Sequence, residues 1–163
     1  MSGTKYKIPE WTYSKITHFC AYQERCVQDV RIKLKSLGVA EKLMDLIISE
    51  LIKDNFVNEE RFARMFTSGK FRIKKWGKSK ILGALRQKKV PEFFILDALN
   101  EINDLEYCQT LGQLLKKKSR EISEEDLKKR NQKLINFAHS KGYEAPAIRK
   151  VMNSGNFCNQ EQA

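Results

Sequence analysis

The sequence predicts an all-α fold of three tandem three-helix repeats forming an elongated, curved array, and three observations carry that expectation. Only three Pro and eight Gly are spread thinly through 163 residues, too few for a turn-rich β architecture. Apolar residues recur at steps of three and four along most of the chain, the period of one helix face. The pattern then repeats: Val39, Val90 and Tyr143 lie 51 and 53 residues apart. Each is preceded five residues earlier by Leu34, Leu85 or Ala138, and followed nine residues later by Ile48, Leu99 or Met152. A helical trio of this size is small for an independent core and gains stability by packing on its neighbours.

Taken in order, residues 1–11 form a polar lead-in expected to be mobile, and the first repeat spans 12–55. Its first helix begins near Thr12 and buries Ile16, Phe19 and Cys20. Its second carries Val27, Val30, Leu34 and Leu37, and Gly38 supplies the stop expected at a C′ position. Its third, 40–54, has a wide apolar stripe of Leu43, Met44, Ile47, Ile48, Leu51 and Ile52.

The second repeat spans 56–103. Asn58 is its N-cap, Glu59 and Glu60 occupy the first turn where they favour the helix dipole, and Phe62, Phe66 and Ile73 continue the apolar face to a stop at Trp76-Gly77. Continuation to Trp76 places Lys70 and Lys74 on one ridge. The next helix, 78–88, turns Ile81, Leu82 and Leu85 inward. Gly83 within it costs about 1 kcal/mol relative to Ala, so it is expected to mark close approach of a neighbouring helix. Pro91 then opens a helix with Phe94, Ile95, Ala98, Leu99 and Ile102 on its core face.

The third repeat spans 104–154. Asp104 precedes a helix carrying Cys108, Leu111, Leu114 and Leu115. Ser123 with Asp126 approximates a capping box before Leu127, Leu134, Phe137 and Ala138. Gly142 stops that helix, Pro146 restarts the chain, and Ile148, Val151 and Met152 complete the ninth helix. Residues 155–163 are expected to be a frayed tail.

Several function classes find no support in the residues. No phosphate-cradling Gly-rich loop, nucleophile elbow or helix-borne His pair with an intervening Glu is present. His18 and His139 are far apart in the chain and have no triad-like partner beside them. His18, Cys20 and Cys26 fit no common zinc spacing and lack a fourth ligand, so the cysteines read as reduced, packed thiols. No apolar run is long enough to span a bilayer, and residues 1–11 have no apolar signal core, so the chain reads as cytoplasmic. Without an evident apolar stripe beyond the core between repeats, a monomer is expected.

One stretch stands apart. From Arg61 to Pro91 the chain holds eleven cations (Arg61, Arg64, Lys70, Arg72, Lys74, Lys75, Lys78, Lys80, Arg86, Lys88 and Lys89) and no Asp or Glu. The remaining residues balance, so the whole net charge of +11 resides here. Mutual repulsion without a local carboxylate disfavours the folded state unless an anionic partner is met. The reading is a surface for a phosphate backbone or a carboxylate-rich protein. Phe62, Phe66, Trp76, Gly77, Ile81 and Leu85 are its expected structural anchors, with Trp76 a packing anchor in preference to a stacking platform.

Arg61-Phe62-Ala63, Lys70, Trp76-Gly77, Lys80-Ile81, Leu85 and Val90, with the run Asn55-Phe56-Val57-Asn58-Glu59-Glu60 ahead of them, resemble the RecX family of bacterial recombinase regulators. The family often has Asp where Asn58 stands and Gly where Lys89 stands. The resemblance implies a non-enzymatic protein without a cofactor. It would bind the RecA recombinase, lodge in the groove of the RecA–DNA filament, and limit filament growth, ATP hydrolysis and strand exchange. The other readings of the basic stretch are a stand-alone nucleic-acid-binding module and a scaffold for some other acidic protein.

Overall fold

The computed structural model describes residues 8–155. The lead-in up to residue 7, the tail from residue 156 and Cys158 lie outside the described residues. Among those described the chain is helical: α1 (Glu10–Tyr22), α2 (Val27–Ser36), α3 (Glu41–Lys53), α4 (Glu59–Arg72), α5 (Lys78–Gln87), α6 (Glu92–Asn100), α7 (Asp104–Glu121), α8 (Leu127–Ser140) and α9 (Ala145–Asn153). Helix α1 begins two residues before the expected start because Pro9 already offers its carbonyl to the Thr12 and Tyr13 amides.

Two compact units divide these helices. One runs up to Met65 and takes in Leu85–Ile95; the other comprises Phe66–Ala84 and the chain from Leu96 onward. In the first, Ile16 and Cys20 of α1, Val30 and Leu34 of α2, and Met44, Ile47, Ile48 and Leu51 of α3 form one buried cluster with Val57. Each such aliphatic side chain contributes about 1.5–3 kcal/mol by leaving water. Ile52, expected on that stripe, is instead half exposed. In the second unit α7, α8 and α9 bury Leu111, Leu115, Leu134, Ala138, Ile148 and Val151.

The repeat is visible in backbone detail. After α2, α5 and α8 the chain enters the left-handed region once, at Gly38 (φ 75°), Lys89 (φ 57°) and Gly142 (φ 93°). The following residue then donates back to the carbonyl five positions earlier: Val39 to Leu34 at 3.1 Å, Val90 to Leu85 at 3.2 Å and Tyr143 to Ala138 at 3.1 Å. Gly38, Lys89 and Gly142 bond to the carbonyls of Lys35, Arg86 and His139. This is the Schellman closure, which satisfies orphan carbonyls at a helix end and turns an apolar residue inward. Lys89 occupies a position where its Cβ costs about 1 kcal/mol, and Gly would carry no such penalty.

Several expected details differ. Helix α4 stops at Arg72, four residues early, so Ile73 is 76% exposed in place of continuing the apolar face, and Lys74 lies in a turn and not on a ridge with Lys70. Asn103 caps α7 by accepting from the Leu105 and Glu106 amides, leaving Asp104 inside the first turn. Asp126 alone caps α8 through the Lys128 and Lys129 amides, and Leu127 at that solvent-facing start is 71% exposed. A Cβ at Gly83 would meet nothing within 4 Å, so no helix approaches it closely.

Candidate interaction face

The centre of the basic stretch is built on a backbone junction within the second unit. Helix α5 begins with Lys78-Ser79, which provide no capping side chain, so its first amides need other acceptors. Gly77 donates to the Lys141 carbonyl at 2.8 Å and Ser79 to the Gly142 carbonyl at 3.1 Å. The Lys78 amide donates to Tyr107 Oη at 2.9 Å, and that hydroxyl donates to Glu144 Oε2 at 2.7 Å. On the other side of the turn the Tyr143 hydroxyl donates to the carbonyl of Lys75, itself held at φ 56°. The two glycines leave no room: a Cβ on Gly77 would lie 2.2 Å from the Gly142 oxygen, and one on Gly142 would lie 2.6 Å from the Lys80 amide nitrogen.

Behind the turn, Tyr107 stands between Phe71 and Tyr143, with ring centroids 5.8 and 4.9 Å away. Burial holds both phenols far above the ordinary tyrosine range, and the Glu144 carboxylate adds to it. They therefore stay neutral and act as fixed hydrogen-bonding posts.

This scaffold presents Trp76 half-buried, with the Lys70 and Lys80 ammoniums each 4.8 Å from its ring centre. Lys70 also lies over Phe66 at 5.1 Å, and Lys80 donates to the Ser140 carbonyl at 3.3 Å. Cation–π contacts of this kind stabilise by about 0.5–1 kcal/mol at exposed sites and leave the positive charge available. Trp76 is thus a packed anchor that also organises cations.

The eleven cations do not form one free surface, because carboxylates distant in sequence reach many of them. Arg61 pairs with Glu24 at 2.7 Å, Arg64 with Glu60 at 2.9 Å, Arg72 with Glu106 at 3.6 Å, and Lys78 with Asp104 at 3.4 Å. Arg86 pairs with Glu92, and Lys88 with Asp29 at 2.8 Å. Glu59, beyond its place in the first turn of α4, accepts from the Val27 amide at 2.9 Å, and burial raises its pKa. Lys70, Lys74, Lys75, Lys80 and Lys89 have no carboxylate in ion-pair range among the described residues. Four of these five surround the Trp76 turn.

Of the expected anchors, Ile81 and Leu85 are fully buried, Phe62 and Gly77 are buried, and Phe66 and Trp76 are half-buried. Tyr107, Tyr143, Gly142 and Glu144 build the junction and were not singled out for it by sequence reasoning. The signal for them was indirect: a helix start with no capping side chain must find acceptors elsewhere. Among the described residues no group of three or more His, Cys, Asp and Glu side chains is placed to hold a metal ion. Burial pushes the Cys20 and Cys26 thiols up to about 11, so neither is a ready thiolate at neutral pH. No described helix is long and apolar enough to cross a membrane.

The fold and this junction together define a helical-repeat protein that carries a locally unneutralised basic face. Comparison with known proteins gives the family. Residues 58–99 match the model of the second three-helix domain of RecX, and residues 105–152 that of its third. Among curated relatives, a Regulatory protein RecX of Lactobacillus johnsonii is 27% identical over 77% of this chain and 46% of its own length. One of Clostridium perfringens is 34% identical over 77% of this chain and 59% of its own length. The chain thus spans about half the length of these relatives. The crystal structure of RecX from Lactobacillus salivarius superposes with a TM-score of 0.81 at 22% identity, covering 88% of this chain and 94% of that one, which shows a shared fold. The chain belongs to the RecX family.

Proposed function

We propose that this chain is a non-enzymatic cytoplasmic regulator that binds the RecA recombinase on its DNA filament and mainly restrains filament growth, ATP hydrolysis and strand exchange, acting as a monomer without a cofactor. Family membership and the regulatory relatives support this reading. The observation that carries the contact face is the cluster of Lys70, Lys74, Lys75 and Lys80 around Trp76, without a carboxylate partner among the described residues, on a scaffold closed by Gly77 and Gly142. Four adjacent cations seek carboxylates or phosphates of a partner, and their mutual repulsion falls when one is met. Arg61, Arg64, Arg72, Lys78, Arg86 and Lys88 are each paired with a carboxylate of the chain and are set apart from this cluster.

The test is recombinase ATP hydrolysis on single-stranded DNA, with and without the Lys70→Glu/Lys74→Glu/Lys75→Glu/Lys80→Glu variant. Expected are a variant of unchanged helicity and a loss of inhibition of at least tenfold, about 1.4 kcal/mol of binding. Equal inhibition by both proteins at low and moderate salt removes this face from the contact. Equal affinity of the native chain for bare DNA and for the filament favours the stand-alone nucleic-acid module.

A further inference from the structure

The first unit holds an open groove that the basic face leaves unexplained. Its floor is apolar, from Pro9, Tyr13 and Leu46, and its rim carries Glu10, Glu50 and Asp54; the volume is about 1000 Å³. Among the described residues no Lys or Arg lines it, in a chain of net charge +11. The Tyr13 hydroxyl donates to Asp54 Oδ2 at 2.8 Å, which fixes the ring along the wall and leaves Oδ1 of that carboxylate open. Among the described residues Glu50 pairs with the exposed Lys53 ammonium alone, at 3.9 Å, the outer edge of ion-pair range. Leu46 is 46% exposed although it stands among these groups.

Spacing selects the occupant. Leu46, Glu50 and Asp54 follow one another at four-residue steps along α3 and its C-cap, about 6 Å apart along the helix. Glu10, from α1, faces the same groove. The carboxylates are not gathered to chelate one metal ion. They repel a phosphate backbone. They suit a ligand that brings several separate cations at about one-turn intervals and apolar side chains between them.

We propose that this groove docks a Lys- or Arg-bearing amphipathic segment of a partner protein, its apolar side chains over Tyr13 and Leu46 and its cations on Glu10, Glu50 and Asp54. This second face is complementary in sign to the Trp76 cluster and does not depend on the recombinase reading. It gives the chain a way to take a basic partner that the lysine cluster would repel.

The probe is a fluorescent twelve-residue amphipathic peptide with Lys at i, i+4 and i+8 and Leu between, titrated into the full chain and followed by anisotropy. Glu50→Gln/Asp54→Asn keeps an acceptor for Tyr13 and removes both charges. Leu46→Ser removes floor from an already exposed site. Expected is binding at low salt that weakens at least tenfold in the first variant and at least threefold in the second. No binding to the native chain, or equal binding by native and Glu50→Gln/Asp54→Asn proteins, overturns the proposal. A loss confined to the charge variant reduces it to nonspecific attraction and overturns it as well. A native dimer in sedimentation that Glu50→Gln/Asp54→Asn dissociates assigns the groove to a second copy of this chain, against the partner proposed.

Discussion

Arg61 and Lys88 belong to one compact unit, Lys70 and Lys80 to the other, and all four sit in the same carboxylate-free stretch of sequence. In the first unit each cation is held by an acidic side chain from α1–α2 country: Arg61 by Glu24, 37 residues away, and Lys88 by Asp29, 59 residues away. Lys88 also covers the Phe62 ring. In the second unit Lys70 and Lys80 lie against an indole and a carbonyl, and their charge is not neutralised. The same residue types therefore serve cohesion in one place and remain available in the other. A cation's role is set by what the fold brings to its tip, and sequence neighbours alone do not report that.

The sharpest way to break this contrast is to attack the junction that positions the available set. Gly77→Ala forces a Cβ into the Gly142 carbonyl, and we expect a loss of about 3 kcal/mol in urea denaturation. A loss below about 1 kcal/mol means that the turn gives way easily and does not hold the lysines in place. Next in size, Arg61→Ala strands the largely buried Glu24 carboxylate and is expected to cost about 2 kcal/mol, whereas Lys80→Ala, losing an exposed cation–π contact, costs no more than about 1 kcal/mol. Equal costs for the two substitutions would erase the distinction between held and available cations. The smallest effect runs the other way. Lys89→Gly relieves a left-handed lysine and should raise stability by about 1 kcal/mol, read as a higher urea midpoint at unchanged slope.

The helical class, the fifty-residue periodicity and most core positions were legible because each rests on local spacing. Gly38 and Gly142 announced their turns, and Asn58 its cap, which the structure shows as Asn58 Oδ1 accepting from the Arg61 amide at 2.9 Å. Ile73 misled because an apolar residue in phase with a helix face predicts burial only while the helix lasts, and α4 ends one residue before it. Gly83 misled for a related reason: a glycine within a helix signals close approach only when something approaches. The glycine that does so, Gly77, meets a residue 65 positions away, a relation that periodicity does not encode. The mutual repulsion expected of the basic stretch is smaller than its sequence implies, since Glu24, Asp29, Asp104 and Glu106, which offset it, all lie outside it.

The Schellman turns after α2, α5 and α8 also govern where this chain tolerates a change of length. The stride from Leu34 to Val39, from Leu85 to Val90 and from Ala138 to Tyr143 is five residues in every case, whereas the distance between successive turns is not constant. One residue added inside such a stride would rotate the next helix by about 100° and bring its apolar stripe toward water. The link between α7 and α8 carries no such constraint at the exposed Ser123, ahead of the Asp126 cap. A peptide tag or fluorescent label belongs there, where the chain can be lengthened without turning any helix out of register.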